Sequence, residues 1–253
     1  MGTDTEAHRL IAEHRRIWEQ KPALRRIYKE EFFSRLLSFC QRGRVSVEVG
    51  AGPGFLKEIL PDLISTDVVQ CPWLDVVADA QCLPFKTASV TNLVGLDVLH
   101  HFETPLTFLA EAKRILTTEG RLILVEPWVT PFSYFIYRYL HQEDCDLSAR
   151  PLEGKAIRFA SVKKAFDGNQ AIPYLLFGPR TLTKTLEFVP GFKPLAIEPF
   201  CLFAYMLSFG FKRINLLPEA LYEVVAGFER RTLPLWRSAA ALRALLVLER
   251  QAV

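Results

Sequence analysis

Val45-Ser46-Val47-Glu48-Val49-Gly50-Ala51-Gly52-Pro53-Gly54 changes physical character half-way along. The first half is rich in β-branched residues and predicts a short buried strand. The second half cannot continue it. Glycine stands at every second position, which suits a tight turn with positive φ and no Cβ in the way. Phe55 to Leu60 then predicts a short helix, stopped by Pro61. Strand, glycine turn and helix bring backbone N–H groups and a helix N-terminus to a bound ligand. A glycine turn that binds nothing has the same local pattern.

The spacing narrows the ligand. A dinucleotide fingerprint is G-x-G-x-x-G, whereas here Phe55 stands where its third glycine would fall. Glu48 is a poor neighbour for a pyrophosphate and a good one for a cation. Glu-x-Gly-x-Gly-x-Gly resembles motif I of the class I S-adenosylmethionine (SAM) dependent methyltransferases, of the methyltransferase type 11-like family. SAM carries an ammonium and a sulfonium and no phosphate. The resemblance implies SAM as cofactor, with Gly50, Ala51, Gly52 and Gly54 against it and Glu48 at its ammonium end. The alternative for Glu48 is a hydrogen bond to the glycine turn alone.

Further segments carry the same resemblance. Asp62 to Val68 predicts a second strand ending in an acid, Asp67. An ionised carboxylate is acceptor-only and suits both ribose hydroxyls, so the resemblance puts Asp67 and Val68 at the cofactor; otherwise Asp67 caps the next segment. Asp75 to Ala80 predicts a third strand. Ala78-Asp79-Ala80-Gln81-Cys82-Leu83-Pro84-Phe85 looks like the family's adenine-holding segment, with Asp79 and Ala80 in contact. Val90 to Leu96 predicts a fourth strand. The following Gly95-Leu96-Asp97-Val98-Leu99-His100-His101-Phe102 resembles the segment beside the methionine part of SAM, implicating Leu96 and Asp97. Pro105 to Leu116 has the periodicity of an amphipathic helix broken at Gly120. Leu122 to Pro127 is an apolar fifth strand, as expected when both faces are covered.

The fold class expected is therefore α/β: a doubly wound, Rossmann-like, seven-stranded sheet, six strands parallel and the last antiparallel, in a single domain. Residues 1–42 form N-terminal helices (Thr5 to Glu19 and Ala23 to Phe39), and 43–127 the cofactor-binding half. Residues 128–190 are a substrate-side insertion after strand 5, helical from Pro131 and again over Leu182 to Phe188, with His141 to Lys164 as its solvated face. Residues 191–253 supply a sixth strand (Phe192 to Phe200), an apolar linker (Cys201 to Phe211), a helix (Pro218 to Arg230) and a last strand (Ala244 to Glu249).

Composition bounds the function. The chain has 253 residues, half of them hydrophobic, including 19 Phe, which is enough for a large core. Its net charge of +3 comes without a dense basic stripe, so no nucleic-acid partner is expected. Cys40, Cys71, Cys82, Cys145 and Cys201 are scattered and contain no C-x-x-C pair. That fits free thiols in a reducing cytoplasm better than a disulfide framework or a zinc site. No apolar run reaches the roughly 18 residues of a spanning helix, and the polar N-terminal stretch has no signal-peptide pattern.

The function expected is methyl transfer from SAM to a small-molecule acceptor, apolar or lipid-like given the aromatic insertion, with Trp128 and Tyr134 at the acceptor. Such a displacement is governed by positioning and exclusion of water. The base candidates are His100, His101, Glu126 and Tyr134, with histidine the best suited near neutrality; at most one of the two histidines faces the methyl, and packing is the other role open to them. No metal constellation is evident. The other readings are a SAM-binding regulatory protein without turnover and, disfavoured by glycine spacing, a nicotinamide-dependent oxidoreductase. Oligomeric state is not legible, and transient contact of Phe200 to Phe211 with a membrane surface is an expectation of the apolar run.

Overall fold

The computed structural model describes residues 2–141, 143–157 and 167–252. Seven strands form one sheet: β1 Ser46–Val49, β2 Ile64–Asp67, β3 Val76–Val77, β4 Val90–Leu96, β5 Leu116–Pro127, β6 Phe192–Phe200 and β7 Arg243–Arg250, in the order β3-β2-β1-β4-β5-β7-β6. The pairs β1/β2, β1/β4, β2/β3 and β4/β5 are parallel, and β7 runs antiparallel to both β5 and β6. Six strands therefore share a direction and the last is reversed, as expected.

Both faces of the sheet are buried. Along β5, Leu122 and Leu124 join one core while Ile123 and Val125 join the other, and β7 repeats the alternation with Leu246 and Leu248 against Leu245 and Val247. The first core is covered by α4 (Pro105–Ile115), α6 (Ile172–Phe177) and α7 (Leu182–Phe188), through Phe108, Leu109, Ile115, Ile172 and Phe177. The second is covered by the N-terminal helices and α9 (Glu219–Ala240), through Leu24, Ile27, Phe32, Leu36 and Tyr222.

Several local expectations are corrected. Phe55 to Leu60 forms turns rather than a helix, so no helix N-terminus faces the glycine turn. So short a segment takes its conformation from packing rather than from its own propensity. The space beside Phe55 and Leu56 is taken instead by the N-terminal arm: α1 (Gly2–Gln20), α2 (Pro22–Ile27) and α3 (Ser34–Phe39), the latter two joined by a π-helical turn over Tyr28–Phe33. Strand β3 is only two residues long, and Asp79 lies beyond it. Gly120 does not end α4. The helix stops at Ile115 and β5 begins at Leu116, with Glu119 at φ +63° and Gly120 inside the strand. The expected linker contains α8 (Phe203–Ser208), and α9 runs on past Arg230 with a kink at Trp236, just after Pro234. Residues 158–166 of the stretch read as a solvated face lie outside the described residues.

The arm is tied down at one point. Lys21, 4% exposed, donates from Nζ to the carbonyls of Ser208, Gly210, Lys212 and Ile214. Four carbonyls satisfy a buried ammonium that would otherwise be costly. Beside it Trp18 stacks on Phe55 at 4.0 Å, and Phe55 on Phe211 at 5.9 Å. The arm is thereby held over the glycine turn. Among the described residues no helix is long and apolar enough to cross a membrane.

Candidate cofactor and acceptor site

Gly50, Gly52 and Gly54 all have positive φ (67°, 47° and 78°), so the alternate-glycine spacing does encode a left-handed turn at the end of β1. The three are not equivalent. A Cβ on Gly50 would lie 2.6 Å from Val98, and one on Gly54 would lie 2.4 Å from Trp73. A Cβ on Gly52 would meet nothing nearer than the Gly50 carbonyl at 3.9 Å. Gly52 therefore faces open space, and the backbone there is bare to a ligand. Trp73 closes the turn from outside by donating from Nε1 to the Gly52 carbonyl at 2.9 Å. Arg15 of α1 donates to the Pro53 carbonyl, and its guanidinium lies 4.3 Å from the Trp73 ring.

The acids behind this turn have distinct states. Glu48 is buried in β1, and its Oε2 has no hydrogen-bond partner among the described residues. Burial, with the Asp67 charge adding to it, pushes its carboxyl up to about 8. Asp67 ends β2. Its Oδ2 accepts from Gly52 N–H at 2.8 Å and its Oδ1 from Val69 N–H at 2.9 Å. Val68 is exposed beside it, and Asp79 is exposed and accepts from Gln81 N–H at 2.8 Å, with buried Ala80 following. Ala51 N–H is held by the Thr66 carbonyl at 3.0 Å.

The loop after β4 is held as firmly. Leu96 ends the strand and Asp97 has φ +56°. Arg243, at the start of β7 and 5% exposed, donates to Asp97 and, from Nη2, to the Tyr205 hydroxyl at 2.9 Å. Glu126, fully buried near the end of β5, accepts Val98 N–H at 2.8 Å and Leu99 N–H at 2.7 Å through Oε1. Its Oε2 lies 2.8 Å from His100 Nδ1. On the other side of that ring, His100 Nε2 lies 3.2 Å from Glu143 Oε2. Burial works against a charge on His100, but hydrogen bonds to Glu126 and Glu143 outweigh it and hold the ring's pKa up at about 10. His101 is driven the other way, to about 4, by burial and by the charge on His100. Glu143, despite its burial, is held down at about 2 by His100.

The two histidine rings do not diverge as the strand and helix periodicities imply. Leu99–His101 is a 3-10 turn, and the rings lie 4.0 Å apart. Nor is the stretch from His141 simply solvated, since Glu143 turns inward to His100. Its neighbour Asp144 forms a bridge to Asn169, and Gln170 Nε2 donates to the Glu143 carboxylate at 2.6 Å.

Beyond Glu126, the chain opens onto a cavity of about 750 Å³. Trp128, Tyr134, Tyr174, Phe177, Leu182 and Ile197 are among its walls, so both residues expected at the acceptor are brought to it. Trp128 meets Tyr174 edge-on at 5.2 Å. Thr130 and Ser133 form a capping box that starts α5 (Pro131–Tyr139) at the rim. Phe203, Tyr205 and Phe209, also aromatic in the sequence, lie elsewhere: Phe203 packs on Trp236 and Tyr205 on Arg243. Arg15, Trp73, Glu143, Gln170 and Arg243 were not legible as site residues. They come from distant segments with no motif of their own, and only the fold assembles them.

A family model described as a methyltransferase domain matches residues 47–124. A search of curated proteins finds no match to the chain. Among solved structures, a SAM-dependent methyltransferase from Thermotoga maritima superposes with a TM-score of 0.56 at 14% identity, over 99% of this chain and 100% of that one. One from Archaeoglobus fulgidus gives 0.55 at 16%, over 89% and 94%. A chain of the complex between the Haloferax volcanii Trm112 methyltransferase activator and a methyltransferase gives 0.54 at 15%, over 99% and 98%. At these identities the likeness is one of fold. Residues 47–124 thus match a methyltransferase domain within a chain that has the fold of SAM-dependent methyltransferases, and SAM is the cofactor that both likenesses support. The turn fits it: Gly52 leaves a bare cradle and Glu48 offers an orphaned buried oxygen for an ammonium.

Proposed function

We propose that this protein transfers a methyl group from SAM to an apolar small-molecule acceptor held in the cavity beyond β5. The observation that carries the acceptor class is the cavity itself, walled by Trp128, Tyr134, Tyr174, Phe177 and Leu182 and continuous in sequence with Glu126. SAM supplies a methyl carbon already activated by its sulfonium. The chain's own task is to bind, align and exclude water.

In this reading Gly50, Ala51, Gly52 and Gly54 let the backbone approach the cofactor, and Glu48 takes its ammonium. Asp67 and Val68 receive the ribose; each Asp67 oxygen accepts one backbone N–H and keeps a further lone pair for a hydroxyl. Asp79 and Ala80 meet the adenine. Leu96 and Asp97 flank the methionine end, Asp97 fixed by Arg243. His100 is excluded from the base role because it is locked between two carboxylates. Burial and the charge on His100 hold the pKa of His101 down, and its Nδ1 lies 3.3 Å from the Asp167 carbonyl.

The test is transfer of radiolabelled methyl from SAM to a panel of apolar phenols and long-chain carboxylic acids, set against polar amines and sugars. The reading expects product with the apolar group. It also expects Trp128→Ala to raise the acceptor KM about tenfold or more, as loss of a large buried contact does, with SAM affinity unchanged. Turnover confined to polar acceptors, or indifferent to Trp128→Ala, overturns the acceptor class.

A further inference from the structure

His100 Nδ1 and Nε2 each face a carboxylate oxygen, Glu126 at 2.8 Å and Glu143 at 3.2 Å. Glu126 accepts two backbone N–H groups as well, so it asks for a donor from the ring: Nδ1 carries the hydrogen. A neutral His100 would then point the lone pair of Nε2 at a carboxylate. Something positive must lie between Nε2 and Glu143, and only a proton or a metal ion fits. A ligand atom from each of His100, His101 and Glu143 lies within 4.8 Å of the others, at a largely buried point. The 3.2 Å between Nε2 and Oε2 matches the separation of about 3.3 Å between two ligands of one tetrahedral ion with bonds of about 2.0–2.1 Å.

We propose that His100, His101 and Glu143 bind one divalent first-row transition-metal ion of the zinc class, at the C-terminal ends of β4 and β5. Two imidazoles and one carboxylate favour such an ion over magnesium or calcium, which take oxygen ligands. The arrangement has the supports that metal sites share. Glu126 bonds the far nitrogen of His100 and fixes its tautomer, and Gln170 orients Glu143 at 2.6 Å. The backbone over the pair is close-fitting, since a Cβ on Gly168 would lie 2.7 Å from His101 Nδ1.

Charge argues the same way. Glu126 and Glu143 flank His100, and the nearby Asp97 is already paired with Arg243. Even a protonated imidazole leaves one negative charge uncompensated in this buried group. A divalent ion on a neutral imidazole cancels it. A second grouping, Asp97, His100 and Glu126, also has ligand-like proximity. Its acids are consumed by Arg243 and by the backbone of Val98 and Leu99, so no ion is placed there. Three protein ligands leave a fourth position open, the pattern of a working rather than a purely structural ion. Only the step of offering that position to an acceptor oxygen or sulfur rests on the methyl-transfer reading; the site itself does not.

The experiment is calorimetric titration of chelator-stripped full-length protein with Zn²⁺, and with Co²⁺ followed by its visible absorption. One ion per chain is expected, with Glu143→Gln and His101→Gln each weakening binding by about tenfold or more, while metal-free melting is retained. Gln170→Ala, further from the ion, is expected to weaken it less and guards against a folding defect in the first two. No saturable uptake by the wild type overturns the proposal and leaves a proton at Nε2. So does uptake that survives both substitutions, or a Co²⁺ spectrum with a thiolate charge-transfer band, which would place the ion on cysteines. SAM affinity does not enter the readout, so failure of the cofactor reading would leave this result standing.

Discussion

Glu48 illustrates what a single residue type can and cannot announce. An acid just before a glycine turn suggests an ammonium partner from the sequence, yet its state depends on burial that no local pattern encodes. Its carboxyl titrates near 8 in the fold, against an unfolded value of about 4.3. Between those values the folded chain holds a proton that the unfolded chain has lost, so Glu48 makes stability fall as pH rises through that window. The cost at pH 7 is on the order of 3–4 kcal/mol. Glu48→Gln removes it. The variant is expected to melt above the wild type at pH 8 in the absence of cofactor, the gap closing towards pH 5, as read by thermal unfolding across pH. The wild type should also bind SAM more tightly as pH rises towards 8, because the ammonium needs the ionised carboxylate. Equal melting of the two proteins at every pH would contradict the buried, protonated state. The histidines were legible as a pair, but the opposite directions in which their pKa values are pushed were not: Glu126 and Glu143, from outside the motif, raise His100, while burial and the His100 charge lower His101.

At the scale of the element, the glycine turn was read correctly and the helix after it was not. The turn is dictated by local sterics, and alternating glycines with positive φ are visible in the sequence itself. The helix over Phe55 to Leu60 depended on a short periodic run that tertiary packing overrode: Phe55 and Leu56 are buried against Trp18 and the N-terminal arm in turn conformation. The turn separates two kinds of glycine. Gly54→Ala drives a Cβ to 2.4 Å from Trp73 at φ +78° and is expected to cost about 3 kcal/mol of stability. Gly52→Ala meets open space and is expected to cost about 1 kcal/mol, chiefly from its positive φ, while weakening SAM binding at least tenfold. Denaturant unfolding of both variants alongside SAM titration separates the two effects. Similar losses of stability in both would show that the Gly52 side is packed rather than bare.

Over the whole molecule, the legible part was the half whose strands carry motifs. β1, β4 and β6 were each recovered from apolar runs and turn residues, whereas the reversal of the last strand came from the family resemblance, its own residues showing only that they suit a strand. What the sequence left unread is assembled across long separations. Lys21 reaches four carbonyls between Ser208 and Ile214, Arg243 reaches Asp97, and Glu143 reaches His100. None of Lys21, Arg243 and Glu143 belongs to a motif, and the partner of each is set by topology. The account of the whole chain rests on the glycine turn and Glu48 receiving SAM. Its most direct test is calorimetric titration of the full-length protein with SAM and S-adenosylhomocysteine, NADH serving as the contrast. Saturable binding of the first two at one site per chain, weakened in Glu48→Gln and absent for NADH, is the result expected. Binding of NADH alone, or SAM affinity indifferent to both Glu48→Gln and Gly52→Ala, would contradict it.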